Sequence, residues 1–272
     1  MSSFEPPLTE CRYGNARVRV YNTRKGMGLA ASADAAALIR QAVEECGRAR
    51  IMIATGNSQL DVIDSLIHQP LVPWAATEIF HMDEYLGIGA DHPASFRRWI
   101  RKRVEEPLKG VRVNYIEGDA ADPEAEMRRY TQLLQSAPID LAFVGFGENG
   151  HIAFNDPPTA NFEDPDVMRR VTLDEACRRQ QVGEGHFRTF ADVPAEALTV
   201  SCSGLLRARA WICCVPELRK AQAVFLALAG EVSTDCPASI VRTHPNATVY
   251  LDRDSASVLL RQEAASGSNR TS

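Results

Sequence analysis

The run IDLAFVG at residues 139–145 constrains the fold more than any other stretch, because it is nearly unbroken in apolar character and leads straight into the glycine-rich GFGENGH. A strand with one wet face alternates between apolar and polar residues. A strand apolar at successive positions suits burial on both faces, in a parallel sheet between layers of helices. Further strands are expected at residues 18–21, 50–54, 78–82, 113–116, 197–201, 210–215 and 248–251. Between them fall helical patterns: an alanine-rich stretch with Ser32 as N-cap, then residues 59–68, 94–104, 123–135, 204–207, 218–228 and 255–263. The fold class is therefore α/β, a doubly wound, mostly parallel sheet with helices on both faces. At 272 residues and without internal repeats, the chain fits one domain, expected over residues 1–264, with a disordered Ser/Gly/Asn/Arg tail at 265–272.

Composition removes several classes of function. A formal charge of −5 gives no general attraction for nucleic acid or anionic lipid, so an anionic ligand needs a local basic pocket. The N-terminus lacks a basic-then-apolar signal pattern, and no apolar run approaches the roughly 18 residues that span a bilayer. The chain reads as cytoplasmic. Its seven cysteines are odd in number and contain no CxxC pair, which points to buried free thiols and no metal site.

Ligands of open parallel sheets bind beyond the carboxyl ends of the strands, and three motifs stand there. Thr55, Gly56, Asn57 and Ser58 separate a strand from a helix. A glycine admits a ligand close to the backbone, and unpaired amides at a helix start favour an anion such as phosphate; the plainer reading is a turn with Ser58 as N-cap. Asp83 and Glu84 end another strand. Neighbouring residues of an extended segment face opposite ways, so one carboxylate faces a cleft and could serve as a base, unless both are solvated. His151 follows the glycines at 145, 147 and 150, with Glu148, Asn149 and Asp156 near enough to orient its ring. Imidazole exchanges protons near neutral pH, although a lone histidine is more often held structurally; the convergence of anion cradle, carboxylate and imidazole favours the chemical role.

MDEYLG at 82–87, DHPASF at 91–96 and GENGHIAFNDP at 147–157 together resemble the glucosamine-6-phosphate deaminase/isomerase family, with similarity continuing at ALTV, LRKA and LD at 197–200, 218–221 and 251–252. The resemblance implies a modified Rossmann-type fold and conversion of an amino-sugar phosphate to a ketose phosphate with loss of ammonia. It casts Asp83 as the base that moves a proton from C2 to C1, and His151, with Asp156 as acidic partner, as the ring-opening group. Thr55, Gly56, Asn57, Ser58 and Lys220 take the positions that bind phosphate. No metal or nucleotide cofactor is implied, the partner is a small sugar phosphate, and relatives often form homo-oligomers.

The chain departs from that pattern in three places. Asn149 stands where well-known members have aspartate, with Glu148 one position earlier, which leaves the neighbour that tunes His151 open. NDP replaces the commoner NEP and shortens the acid at 156 by one methylene. No arginine occupies the expected phosphate-binding position near Gly183; Arg178 or Arg179, a helical turn away, are the candidates to replace it. Two other functions share the fold: a 6-phosphogluconolactonase, which hydrolyses a lactone and needs no C2 base, and a sugar-phosphate sensor that has lost catalysis. Retention of both Asp83 and His151 argues against the sensor.

Overall fold

The computed structural model describes residues 5–268 apart from Lys109 and Pro158. The elements run β1 (Thr9–Tyr13), β2 (Ala16–Tyr21), α1 (Arg24–Cys46), β3 (Ala49–Ile53), α2 (Leu60–Leu66), β4 (Thr77–His81), β5 (Asp83–Tyr85), α3 (Phe96–Ile100), α4 (Glu106–Leu108), β6 (Arg112–Asn114) and α5 (Pro123–Gln135). They continue with β7 (Leu141–Val144), β8 (Met168–Thr172), α6 (Glu175–Gly183), β9 (Glu196–Val200), α7 (Cys202–Leu206), β10 (Trp211–Val215), α8 (Ala221–Ala229), β11 (Ala247–Asp252) and α9 (Ser257–Ser268).

Eight strands make one sheet in the order β1-β2-β11-β10-β7-β3-β4-β6, parallel throughout except for β1 at the edge. The apolar runs follow from its two covered faces. Ile51, Ile53, Ile212 and Cys214 pack into a core with α1 and α2, whereas Met52, Trp211, Cys213 and Val215 point into the opposite core with α5, α7, α8 and α9. Consecutive residues are thus buried on opposite sides, so neither alternation nor polar relief appears in the sequence. The doubly wound α/β class is the one observed.

Local readings differ in several places. α1 begins eight residues before Ser32: Thr23 is its N-cap and accepts from the Gly26 N–H, while Ser32 is buried inside the helix and donates to the Leu29 carbonyl. β1 pairs with β2 in a hairpin absent from the sequence reading. A second, three-stranded antiparallel sheet, β5-β9-β8, was likewise hidden because β5 has three residues and β8 carries two arginines. α9 continues to Ser268, into the stretch expected to be disordered, and residues 269–272 lie outside the described ones.

Candidate active site

The carboxyl ends of four neighbouring strands, β10, β7, β3 and β4, open onto one cavity. Each brings a different chemistry to its wall. The β3 end supplies Thr55, Gly56, Asn57 and Ser58, the β4 end Asp83, the β7 end His151, and the β10 end Arg219 and Lys220. Gln180, Gln181, Glu184 and His186, from α6 and the turn after it, complete the lining.

In the first of these stretches Gly56 has φ 111°, and no atom stands within 4 Å of where its β-carbon would be. Backbone conformation rather than crowding therefore calls for glycine here. Ser58 does not cap α2; the chain passes through a 3₁₀ turn, Asn57–Gln59, and Ser58 Oγ accepts from Gln59 Nε2 at 3.0 Å. Arg24 ties the loop down by donating to the Asn57 carbonyl while pairing with Asp61 and Glu217.

Beyond β4 the strand pleat separates Asp83 from Glu84. Glu84 is fully buried and accepts from Ser95 Oγ at 2.7 Å and from the N–H groups of Phe96 and Arg97 at 3.2 and 3.0 Å, so it anchors the start of α3. Asp83 faces the cavity, and burial, followed by the charge of Glu84, pushes its carboxyl up to about 8. Its backbone is fixed by His81, whose Nε2 accepts the Ile116 N–H at 2.9 Å, leaving Nδ1–H to donate to the Asp83 carbonyl at 2.9 Å. Burial holds that imidazole neutral, with its pKa lowered to about 3.

At the end of β7 the chain folds tightly around His151. The His151 N–H donates to Asn149 Oδ1 at 3.0 Å, and the Gly147 N–H donates to the His151 carbonyl at 2.8 Å. His151 Nδ1 lies 3.1 Å from Asp156 Oδ1, which also accepts from Asn149 Nδ2 at 3.1 Å. Burial alone would raise the Asp156 carboxyl, but His151 and then Asn149 outweigh it and hold the group below its ordinary value. The neighbour of His151 is thus Asp156, with Asn149 bridging the two. Glu148 is turned away, 3.1 Å from Arg219, and neither it nor Asn149 lines the cavity. Cys177 completes a buried trio with His151 and Asp156 whose ligand atoms lie within 4.8 Å of one another, the one such potential metal-binding group among the described residues.

The cationic side of the wall departs from expectation. Lys220 is 3 % exposed, makes no ion pair among the described residues, and has its pKa lowered by burial. Arg178 and Arg179 are not brought to the cavity. Arg178 lies over the Phe190 ring, 4.1 Å from its centre, and donates to the carbonyls of Phe190 and Val193; Arg179 pairs with Glu175 on the outer face of α6. The arginine in the wall is Arg219, adjacent to Lys220, a position the sequence reading passed over. Its one available signal was placement in the turn after the buried strand β10.

Comparison with known proteins identifies the family. Residues 22–250 match the family of glucosamine-6-phosphate isomerases/6-phosphogluconolactonase. A glucosamine-6-phosphate deaminase of Exiguobacterium sp. is 34 % identical over 206 residues, covering 75 % of this chain and 78 % of that protein. Its counterpart in Staphylococcus epidermidis is 32 % identical over 221 residues, covering 79 % and 89 %. Among solved structures, a monomeric glucosamine-6-phosphate deaminase superposes with TM-score 0.81 at 31 % identity, covering 88 % of this chain and 98 % of that one. The 6-phosphogluconolactonase of Trypanosoma brucei, at 18 % identity and TM-score 0.74 over 94 % and 100 % of the two chains, shares the fold. By match and by architecture, this chain belongs to the glucosamine-6-phosphate isomerase/6-phosphogluconolactonase family.

Proposed function

We propose that the cavity converts glucosamine 6-phosphate, or a closely related amino-sugar phosphate, to a ketose phosphate and ammonia. The observation that carries this reading is the meeting of Asp83, the His151–Asp156 pair and the unpaired Lys220 in one cavity wall or directly behind it. Amides of the 55–58 loop and Lys220 take the phosphate, and this remote anchoring positions the reacting carbons. With Nδ1 turned to Asp156, His151 has Nε2 free to exchange protons between the ring oxygen and the C1 hydroxyl, which opens the ring. The Asp83 carboxylate then removes the C2 proton and returns it at C1, while a proton passes from nitrogen to O1. The C2 imine that results adds water and releases ammonia.

The raised pKa of Asp83 fits an amino sugar in particular. A carboxyl at about 8 is largely protonated in the empty site at neutral pH. A substrate ammonium beside C2 favours its ionised form, so the base is generated where it is needed. Lactone hydrolysis offers no such cation and needs no carbon base.

The same reading places the chain in amino-sugar metabolism in the cytoplasm, in keeping with the buried thiols of Cys177, Cys202, Cys213, Cys214 and Cys236 and with no described helix long and apolar enough to cross a membrane. Incubation with glucosamine 6-phosphate, without added metal or nucleotide, is expected to release ammonia and a ketose phosphate in equal amounts. Failure with every amino-sugar 6-phosphate, accompanied by hydrolysis of 6-phosphogluconolactone, would overturn the reading in favour of the lactonase.

A further inference from the structure

Glu184 is a feature the proposed chemistry does not use. It is a carboxylate in the wall of an anion-binding cavity, 8 % exposed at its side chain, and it caps the carboxyl end of α6. Both circumstances disfavour a negative charge, since burial costs solvation and a helix C-terminus is the negative end of the dipole. Nevertheless its pKa is lowered to about 2, because contacts with His186 at 3.3 Å, the nearby Lys220, Arg219 at 3.0 Å and Gln180 Nε2 at 2.8 Å outweigh burial. Glu184 therefore stays ionised throughout the working pH range.

Arg219 is its direct partner and is heavily countered. One guanidinium meets Glu217 at 2.6 Å, Glu148 at 3.1 Å and Glu184 at 3.0 Å. Glu217 is held for this contact in an unusual backbone state, φ 82°, by its N–H donating to Asp252. Of the three carboxylates, Glu184 is the most buried; it lines the cavity together with His186 and Glu217, whereas Glu148 does not.

Resting on the sugar-phosphate reading above, we propose that Arg219 is the second cation of the anion subsite and that Glu184 is its built-in competitor. In the empty cavity Glu184 occupies the guanidinium; an arriving phosphate takes Arg219 over and leaves Glu184 to His186 and Gln180. The device sets affinity: each phosphate must displace a resident carboxylate, which weakens binding and favours strongly anionic ends over neutral ones. It also explains how a site with no arginine near Gly183 still offers two cations.

The test uses inorganic phosphate and glucosamine 6-phosphate as probes, with binding read by thermal shift and calorimetry so that turnover is not required. Glu184→Gln is expected to tighten phosphate binding about tenfold, and to lower KM with little change in kcat; Arg219→Gln is expected to weaken binding roughly tenfold or more. In an Arg219→Gln background most of the tightening from Glu184→Gln should vanish, which separates competition for Arg219 from a general loss of negative charge or a loosened fold. Equal or weaker phosphate binding by Glu184→Gln, or full tightening without Arg219, overturns the inference while leaving the proposed activity standing. Absence of sugar-phosphate binding by the unmodified chain overturns both.

Discussion

His151 Nδ1 stands 3.1 Å from Asp156 Oδ1 although neither side chain belongs to a regular strand or helix, and Asn149 locks the pair by donating to the same oxygen at 3.1 Å. A carboxylate in that place fixes which ring nitrogen carries the proton and steadies the imidazolium when it forms. Asp156→Asn keeps the shape but offers an amide that can present its NH₂ group to Nδ1. It is expected to lower kcat about a hundredfold or more on glucosamine 6-phosphate with KM changed much less. Steady-state kinetics decide the matter, and an unchanged kcat would remove Asp156 from the proton path.

Asp83 makes a prediction in stability as well as in rate. Its carboxyl titrates at about 8 in the folded chain against 3.8 ordinarily, so between those values the folded state binds more protons than the unfolded one. Stability from this group is complete below pH 4 and is lost as pH rises towards 8, at up to about 1.4 kcal/mol per pH unit. Asp83→Asn is expected to abolish turnover while retaining sugar-phosphate binding, and to gain stability over the parent progressively from pH 5 to 8.5. Urea melts across that range measure the difference; a gap independent of pH contradicts the assigned titration.

The strand-end motifs were legible because their logic is local. Asp83 and Glu84 had to face opposite ways on an extended segment, and they do: one lines the cavity and the other anchors α3. The apolar runs identified the sheet for a similar reason, since burial on both faces leaves its mark in every residue of β7 and β10 and in Ile51, Met52 and Ile53 of β3. What failed to show depends on contacts distant in sequence. Arg219 stayed unnoticed because two of the carboxylates that hold it, Glu148 and Glu184, come from segments distant in sequence. Arg178 sits a helical turn from the wall residue Gln181 yet turns to the Phe190 ring and two carbonyls, a preference only tertiary packing settles. β5 and β8 escaped because three residues, or a strand holding Arg169 and Arg170, carry too little apolar pattern to announce a sheet.

His81 is expected to act through Asp83 without touching substrate. Its two ring nitrogens bond the Asp83 carbonyl and the Ile116 N–H, each at 2.9 Å, so His81→Phe strands two buried polar groups. The cost is about 1–3 kcal/mol for each. Since the folded pKa lies near 3 against an ordinary 6.5, the unfolded chain binds the extra proton in that interval, and the contribution present above pH 6.5 is lost as pH falls towards 3. Chemical denaturation should therefore show His81→Phe less stable than the parent at pH 7.5, with the gap narrowing at pH 5. A gap that widens on acidification would show that His81 is charged in the fold.

Gly147 offers the sharpest steric test of the His151 turn. A β-carbon there would fall 2.3 Å from Cε1 and 2.4 Å from Nδ1 of the His151 ring, far inside contact distance, so Gly147→Ala must move the ring. The displaced imidazole loses its register with Asp156 and with any sugar ring oxygen in the cavity, and a shift of about 1 Å is enough to cost roughly a hundredfold in rate. Phosphate anchoring should persist, because Lys220 and the 55–58 loop come from other strand ends. The expected signature is a large fall in kcat with binding of glucosamine 6-phosphate preserved within a few-fold, measured by calorimetry beside the ammonia assay. Near-normal turnover by Gly147→Ala would mean that the reaction does not depend on where His151 stands, and the ring-opening role would have to pass to another group.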